Sequence, residues 1–171
     1  LGVPADIARA RIQVRDTLLD PPYHGENGIH ITNPPWFYKG SVARRPDAKD
    51  YWARYFEQTP RARDVYQIAM LNDLRLGVRE AVYVVPPNFI FGDAVAVAVR
   101  REMFRYYTVP TIVYYGYPVF ETTDQHALVV HMRRKPQPDD EPQFVAVEYR
   151  EPQRTIRYRE WFSASNGYRA G

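Results

Sequence analysis

The sequence predicts an α/β domain whose sheet is mostly parallel and ends in an antiparallel strand. Short β-branched or apolar segments alternate with segments of helical periodicity, the pattern of folds in which a helix connects each pair of parallel strands. Strands are predicted at residues 11–14, 29–32, 81–85, 111–115 and 126–132. The last of these follows its predecessor after about ten residues, fewer than a parallel crossover needs, so it is expected to run antiparallel.

Two helices are predicted between these strands. The first covers residues 65–76, with Asp64 suited to cap it and Gly77 to end it. The second is expected at residues 93–105. Residues 37–63 are polar, aromatic and rich in arginine, and they are expected to form a long surface excursion.

Composition excludes several kinds of site. The 171 residues include no cysteine, so disulfides, zinc-thiolate sites and a cysteine nucleophile are excluded. The four histidines show no metal-binding spacing, and no metal site is predicted. The net charge of +3 permits a nucleic-acid partner without requiring one.

No apolar run approaches the roughly 20 residues of a membrane span, and Asp6 and Arg9 interrupt any apolar core of a signal peptide. A cytoplasmic location is therefore expected.

The segment Asn33-Pro34-Pro35-Trp36, called the tetrapeptide below, has the clearest chemical meaning. The residue before a proline is held extended, and neither proline has an N–H. The turn therefore offers the Asn33 side-chain oxygen and the Pro34 carbonyl as acceptors with few competing donors. Two fixed acceptors at the carboxyl end of a strand suit a ligand that carries an amino group, and Trp36 adds a flat face for stacking. The alternative is a simple strand terminator, with Asn33 in a turn and Trp36 in the core.

The tetrapeptide resembles the (Asn/Asp/Ser)-Pro-Pro-(Tyr/Phe/Trp) signature of amino-methyltransferases. The order of the later segments resembles that of the N6-adenine DNA methyltransferases of restriction–modification systems. The matching segments are residues 84–90, 114–120 and 127–130. Upstream, residues 15–19 resemble the family's segment beside the cofactor adenine, although Thr17 stands where phenylalanine is common. The resemblance covers residues 10–135.

The resemblance implies a Rossmann-like methyltransferase fold that transfers a methyl group from S-adenosylmethionine to N6 of an adenine flipped out of DNA. The tetrapeptide would be catalytic, with Asn33 and Pro34 accepting hydrogen bonds from the amino group. Trp36 would stack on the base, and Phe120 would supply the second ring. Asp16 and Thr17, together with Asn33, would contact the cofactor.

Basic residues that follow the tetrapeptide are candidates for contacts with DNA. Lys39, Arg44 and Arg45 are close enough in sequence to reach backbone phosphates beside the flipped base. A solvated charged loop is the alternative interpretation of the same three residues.

One part of the family pattern is missing. A glycine-rich cofactor loop should precede Asp16, but the short segment before Asp16 contains a single glycine, Gly2. Residues 1–135 are therefore expected to be the C-terminal part of a catalytic domain, inactive alone. Residues 136–171 are expected to be a linker and the start of a following region that could lead to a target-recognition domain. The expected partners are double-stranded DNA, the missing N-terminal half, and a target-recognition or nuclease domain.

Two other functions stay open at this point. A protein glutamine N5-methyltransferase uses a similar Asn-Pro-Pro-Tyr signature. A non-catalytic DNA-binding or assembly module, derived from a methyltransferase, would explain the missing cofactor half. The basic and aromatic insertion at residues 37–63 favours a nucleic-acid groove over a peptide slot.

Overall fold

The structure is a computed structural model that describes residues 2–21, 28–42, 44, 46, 49–92, 96–121, 123–149 and 156–163. Of residues 42, 49, 51, 143 and 156–163 only the backbone is described. The helices are α1 (Ala5–Ala10), α2 (Lys39–Val42), α3 (Lys49–Gln58), α4 (Val65–Leu76), α5 (Asn88–Phe91) and α6 (Val97–Tyr106). The strands are β1 (Ile29–Thr32), β2 (Glu80–Val85), β3 (Tyr107–Tyr115), β4 (Ala127–Arg134), β5 (Gln143–Tyr149) and β6 (Ile156–Ser163).

The described strands form one sheet of six, in the order β1-β2-β4-β3-β5-β6. β1 pairs with β2 in parallel, and β3 pairs with β5 in parallel. β4 lies between β2 and β3 and is antiparallel to both, so β1, β2, β3 and β5 all point the same way. β6 runs antiparallel to β5. The predicted α/β class, with a mostly parallel sheet and an antiparallel strand β4, is confirmed.

The main core lies between this sheet and the helices α4 and α6. Alternate residues of β2 are buried, and their neighbours on the other face are half-buried. Aromatic rings meet edge to face in this core, as where Phe89 contacts Tyr66 and Phe104. The large, fully buried side chains of the core are Tyr66, Met70, Tyr83, Phe89, Met103, Tyr107, Leu128, Met132 and Phe144.

Helix α4 begins and ends as predicted. The Asp64 carboxylate accepts from the Tyr66 N–H, and Gln67 reaches back to the backbone of Asp64 in a capping box. At the other end Gly77 adopts a left-handed conformation with φ of 70°, and its N–H bonds the last turn of the helix. Because α4 leads directly into β2, these two ends fix where β2 starts.

The prediction of a surface excursion at residues 37–63 was wrong. Two helices form there, and α3 buries Tyr55 and Phe56 in a second, smaller core with Val65 and Ile68. Trp52 packs against the same core, and residues 52, 55 and 56 follow helical spacing. The arginines and tyrosines around these positions hid this short amphipathic pattern.

Three further differences from the prediction concern which residues form helices and strands. Residues 11–14 form no strand, and Ile12 and Val14 are exposed, because this segment pairs with no described strand. Helix α6 is described from Val97, and residues 93–95, the predicted helix start, lie outside the described residues. The sheet continues past residue 135, since β5 pairs with β3 and places Phe144 in the main core.

The buried cap of α4 has a consequence for stability. Asp64 is 5% exposed. Burial penalises the charged form of the carboxyl and raises its pKa, while backbone hydrogen bonds lower it. The effect of burial is larger, and the pKa rises from 3.8 to about 6. Between these two values the folded chain holds a proton that the unfolded chain has lost. The free energy of unfolding should therefore fall as pH rises through this window.

We expect the Asp64→Asn variant to lose most of this pH dependence, since asparagine also caps helices but does not titrate. Its fall in unfolding free energy between pH 4 and pH 7 should be smaller than that of the wild type by about 2–3 kcal/mol. Urea denaturation at each pH measures this difference. The control is Asp139→Asn, which removes an exposed carboxyl whose pKa Lys135 lowers and should leave the fall intact. If the unfolding free energies of Asp64→Asn and the wild type fell equally with rising pH, Asp64 would not be the group responsible.

Candidate active site

The tetrapeptide lies at the carboxyl end of β1, beside the carboxyl end of β2. The parallel pairing of the two strands brings these ends together, at the edge where open α/β sheets bind ligands. The indole Nε1 of Trp36 donates to the Val84 carbonyl oxygen at 3.2 Å, which anchors the ring to the last residues of β2. Pro34 is buried and Asn33 is exposed, so the chain is fixed while the amide stays accessible.

Two cavities adjoin the tetrapeptide. The first, called the turn-side cavity, has a volume of about 120 Å³ and is enclosed by the turn at residues 17–21, β1 and α4. The second, called the ring-side cavity, has a volume of about 280 Å³ and is lined by Trp36 and Phe120. Asn33, Pro34 and Pro35 line both cavities. These three residues are therefore the wall that the two cavities share.

The two predicted stacking rings are in contact. The ring centroids of Trp36 and Phe120 are 5.4 Å apart, and the ring planes are inclined by 76°. This edge-on contact leaves no parallel slot between the rings. Since the hydrogen bond to Val84 holds Trp36, a planar ligand would be admitted by a turn of Phe120, which lies in the connection between β3 and β4.

Asp16 is engaged within the protein itself. One carboxylate oxygen accepts from the backbone N–H groups of Leu18 and Leu19, and the other accepts from the Tyr55 hydroxyl at 2.7 Å and from Arg54. Burial favours the neutral acid, but these hydrogen bonds and the Arg54 charge outweigh it and lower the pKa of Asp16. The carboxylate therefore orders the turn, and of the two predicted cofactor contacts in this segment only Thr17 lines the turn-side cavity.

Of the predicted phosphate-binding residues, Lys39 begins α2 and Arg44 follows the end of that helix. The Lys39 ammonium lies 5.5 Å from the centroid of the Phe56 ring, a cation–π contact. Arg44 is exposed, and its Nε donates to the Gly40 carbonyl. Arg45 lies outside the described residues.

The structure adds residues to the site that the sequence did not indicate. His30, Asn72 and Asp73 form the floor of the turn-side cavity, and Thr123 and Gln125 line the ring-side cavity. The one signal for the floor is the polar pair at positions 72 and 73 inside the apolar pattern of α4. Nothing in the sequence relates that pair to His30.

A further cavity, of about 410 Å³, lies against another face of α4, at Leu71, Leu74 and Arg75. Three arginines line it, and each already bonds to the protein. Arg61 pairs with Glu102, Arg75 donates to Thr59, and Arg134 donates to the Leu74 carbonyl. Because these bonds account for the arginines, and because no tetrapeptide residue lines this cavity, it is not part of the site.

The described residues contain neither a metal-ligand cluster nor a membrane-spanning helix. No three of their histidine, aspartate and glutamate side chains are grouped as metal ligands would be. None of the described helices is long and apolar enough to cross a membrane.

Solved structures resemble the fold described above. The modification subunit of a type I restriction enzyme from Vibrio vulnificus is 17% identical, with a TM-score of 0.55 over 87% of this chain and 36% of that one. A protein of a type I R-M system is also 17% identical, with a TM-score of 0.55 over 84% of this chain and 28% of that one. The chain thus spans about a third of the length of these structures. At this identity the likeness shows the fold alone.

Sequence comparison identifies the family. No curated protein matches the chain by sequence. The family model described as N-6 DNA Methylase matches residues 4–166, which include both cavities and all six strands. The chain therefore belongs to the N-6 DNA methylase family.

Proposed function

We propose that the protein transfers a methyl group from S-adenosylmethionine to N6 of an adenine in DNA, as part of a restriction–modification system. The observation that carries the proposal is that Asn33, Pro34 and Pro35 form the wall between two cavities. Methyl transfer needs the sulfonium sulfur and the amino nitrogen in line on opposite sides of the methyl carbon, so that the nitrogen–carbon bond forms as the carbon–sulfur bond breaks. Oxygen acceptors at the boundary of a cofactor cavity and a base cavity suit an amino group that must be held between them.

The turn-side cavity fits one end of the cofactor. It is closed on one side by the turn at residues 17–21 and has polar atoms at its base. Its volume of about 120 Å³ suits a single ring system, so the remainder of the cofactor would be held by other parts of the full-length protein. When bound, S-adenosylmethionine supplies an electrophilic methyl group on its sulfonium.

Asn33 and Pro34 would orient the target amine. The Asn33 side-chain oxygen and the Pro34 carbonyl each accept one hydrogen bond from the amino group, and this draws its lone pair out of conjugation with the ring. The same acceptors stabilise the positive charge that grows on nitrogen during transfer. Two prolines in succession remove backbone donors that would compete for these oxygens and hold the carbonyl still.

The ring-side cavity would hold the flipped base. A base in a duplex cannot reach a reacting centre without leaving the stack. Trp36 would cover one face of the ring, and Phe120 would turn from its edge-on position to cover the other. The exposed Arg44, together with Lys39 and Arg45, would contact the phosphates beside the extruded nucleotide. The aromatic walls favour a planar base over the flexible amide of a protein glutamine.

We expect Asn33→Ala to abolish most methyl transfer in the full-length protein while DNA binding changes little. Loss of one preorganised polar contact at a reacting centre costs about 10²–10³ in rate. Single-turnover methylation of a duplex, with DNA affinity measured in parallel, tests this. Asn33→Asp is the matched control, because it keeps an oxygen acceptor and should keep part of the activity. Near-normal turnover by Asn33→Ala would disprove the assignment.

We expect Trp36→Ala to reduce methylation more than it weakens binding to duplexes with an abasic or mismatched target. Stacking on an extruded base is worth roughly 1–3 kcal/mol. Trp36→Phe keeps a stacking ring but loses the hydrogen bond to Val84, and it should retain much of the activity. The test is to measure the methylation rate and the DNA affinity of both variants. If Trp36→Phe were as inactive as Trp36→Ala, anchoring rather than stacking would be the role of this residue.

A further inference from the structure

The floor of the turn-side cavity consists of three polar side chains from two elements. His30 comes from β1, and Asn72 and Asp73 come from α4. Asn72 is 6% exposed and Asp73 is 3% exposed, so bulk solvent contacts little of either residue. Polar groups as buried as these are nearly always hydrogen-bonded in folded proteins, and an exception calls for an explanation.

In the described part of the protein, Asp73 uses only one of its two carboxylate oxygens. The His30 Nδ1 lies 2.5 Å from Oδ2, and the Tyr83 hydroxyl donates to the same Oδ2 at 2.6 Å. These bonds join β1, α4 and β2 and fix the plane of the carboxylate. Among the residues that the structure describes, none donates a hydrogen bond to the second oxygen, Oδ1.

Asn72 presents a second acceptor of the same kind. Its side-chain nitrogen donates to the Leu18 carbonyl at 2.8 Å, which holds the amide against the turn at residues 17–21. The nitrogen is thereby committed to the turn, and the oxygen is left to accept. No described side chain or backbone N–H reaches that oxygen. Two buried residues that each keep an unpaired acceptor therefore line one small cavity, and leaving such acceptors unpaired is unfavourable.

Asp16, the carboxylate in the segment that the family resemblance places beside the cofactor, is not available to accept a hydrogen bond from a ligand. Asp16 accepts four hydrogen bonds, from Leu18, Leu19, Tyr55 and Arg54, and so has no acceptor to spare for a ligand. Its work is to shape the turn that closes the cavity. The acceptors that face the cavity are supplied by α4 instead.

We infer that Asn72 and Asp73 read the amino group of the cofactor's adenine ring, with His30 and Tyr83 as positioning residues. The inference rests on the proposed function and deepens it. A flat ring suits a cavity of about 120 Å³ whose side walls include Leu18, Pro21 and Pro35. The adenine amino group has two N–H donors, which matches two buried acceptors.

The test compares two ligands that differ only at that amino group. S-adenosylhomocysteine carries the amine, and S-inosylhomocysteine carries a carbonyl oxygen in its place. Calorimetric titration of the full-length protein gives a dissociation constant for each ligand. We expect the wild type to prefer the adenine ligand by about 10- to 100-fold, because the carbonyl would face two acceptors. Their ratio cancels any loss of affinity that a variant imposes on both ligands.

Two variants should reduce this preference. Asn72→Leu removes one acceptor, and Asp73→Asn places an N–H donor on the floor that can bond the inosine carbonyl. We expect each variant to lower the preference at least fivefold, with Asp73→Asn lowering it further. Asp16→Asn is the control and should keep the preference of the wild type even if affinity falls for both ligands. Thermal unfolding of each variant confirms that it is folded.

The outcomes separate the inference from the proposed function. A preference that is unchanged in Asn72→Leu and Asp73→Asn would overturn the inference, and so would a preference that collapses in Asp16→Asn. A wild type with no preference between the ligands would show that the floor meets another part of the cofactor, such as its ammonium group, and would also overturn it. Failure of the wild-type protein to bind either ligand would instead contradict the proposed use of S-adenosylmethionine.

Discussion

The site depends on the parallel pairing of β1 with β2. The register sets His30 opposite Ala81 and Thr32 opposite Tyr83, so the last residues of both strands end at the same edge of the sheet. Only in this arrangement can Trp36 reach the Val84 carbonyl and Asp73 accept from both strands. A shift of β1 by one residue would turn His30 away from α4 and Ile31 towards it.

Helix α4 connects the two cavities to the rest of the fold. Its first turn is capped by Asp64, whose backbone is bridged to Tyr38 just after the tetrapeptide. Its middle turns bury Tyr66 and Met70 in the core, and positions 72 and 73 close the turn-side cavity. One helix thus holds the segment after Trp36 at one end and the polar floor further along. A change in its axis would move both cavities together.

The distribution of hydrogen bonds separates structural from ligand-directed polar groups. Asp16 and Arg100 are satisfied within the protein, and each organises a loop, the turn at residues 17–21 and the segment around Gly92 respectively. One oxygen of the Asp73 carboxylate is engaged within the protein, and the residue also lines the turn-side cavity. An acidic residue near a predicted cofactor segment is therefore not by itself a ligand contact. Its role follows from which of its oxygens are already engaged.

The sequence by itself determined the features that depend on local conformation. The alternation of apolar segments predicted strands β1 to β4, Asp64 and Gly77 predicted the ends of α4, and the short connection before β4 predicted its direction. The tetrapeptide could be predicted because each proline fixes its own φ and holds the residue before it extended wherever it occurs. These properties involve residues a few positions apart.

The tertiary structure decided everything that joins distant residues. It inserted β4 between β2 and β3, added β5 and β6 to the sheet, and buried Tyr55 and Phe56 in a second core. It also turned Asp16 towards Tyr55 and brought His30 to Asp73, 43 positions along the chain. Hydrogen bonds between residues so far apart depend on how many side chains pack together. Such packing leaves no periodic pattern in the sequence.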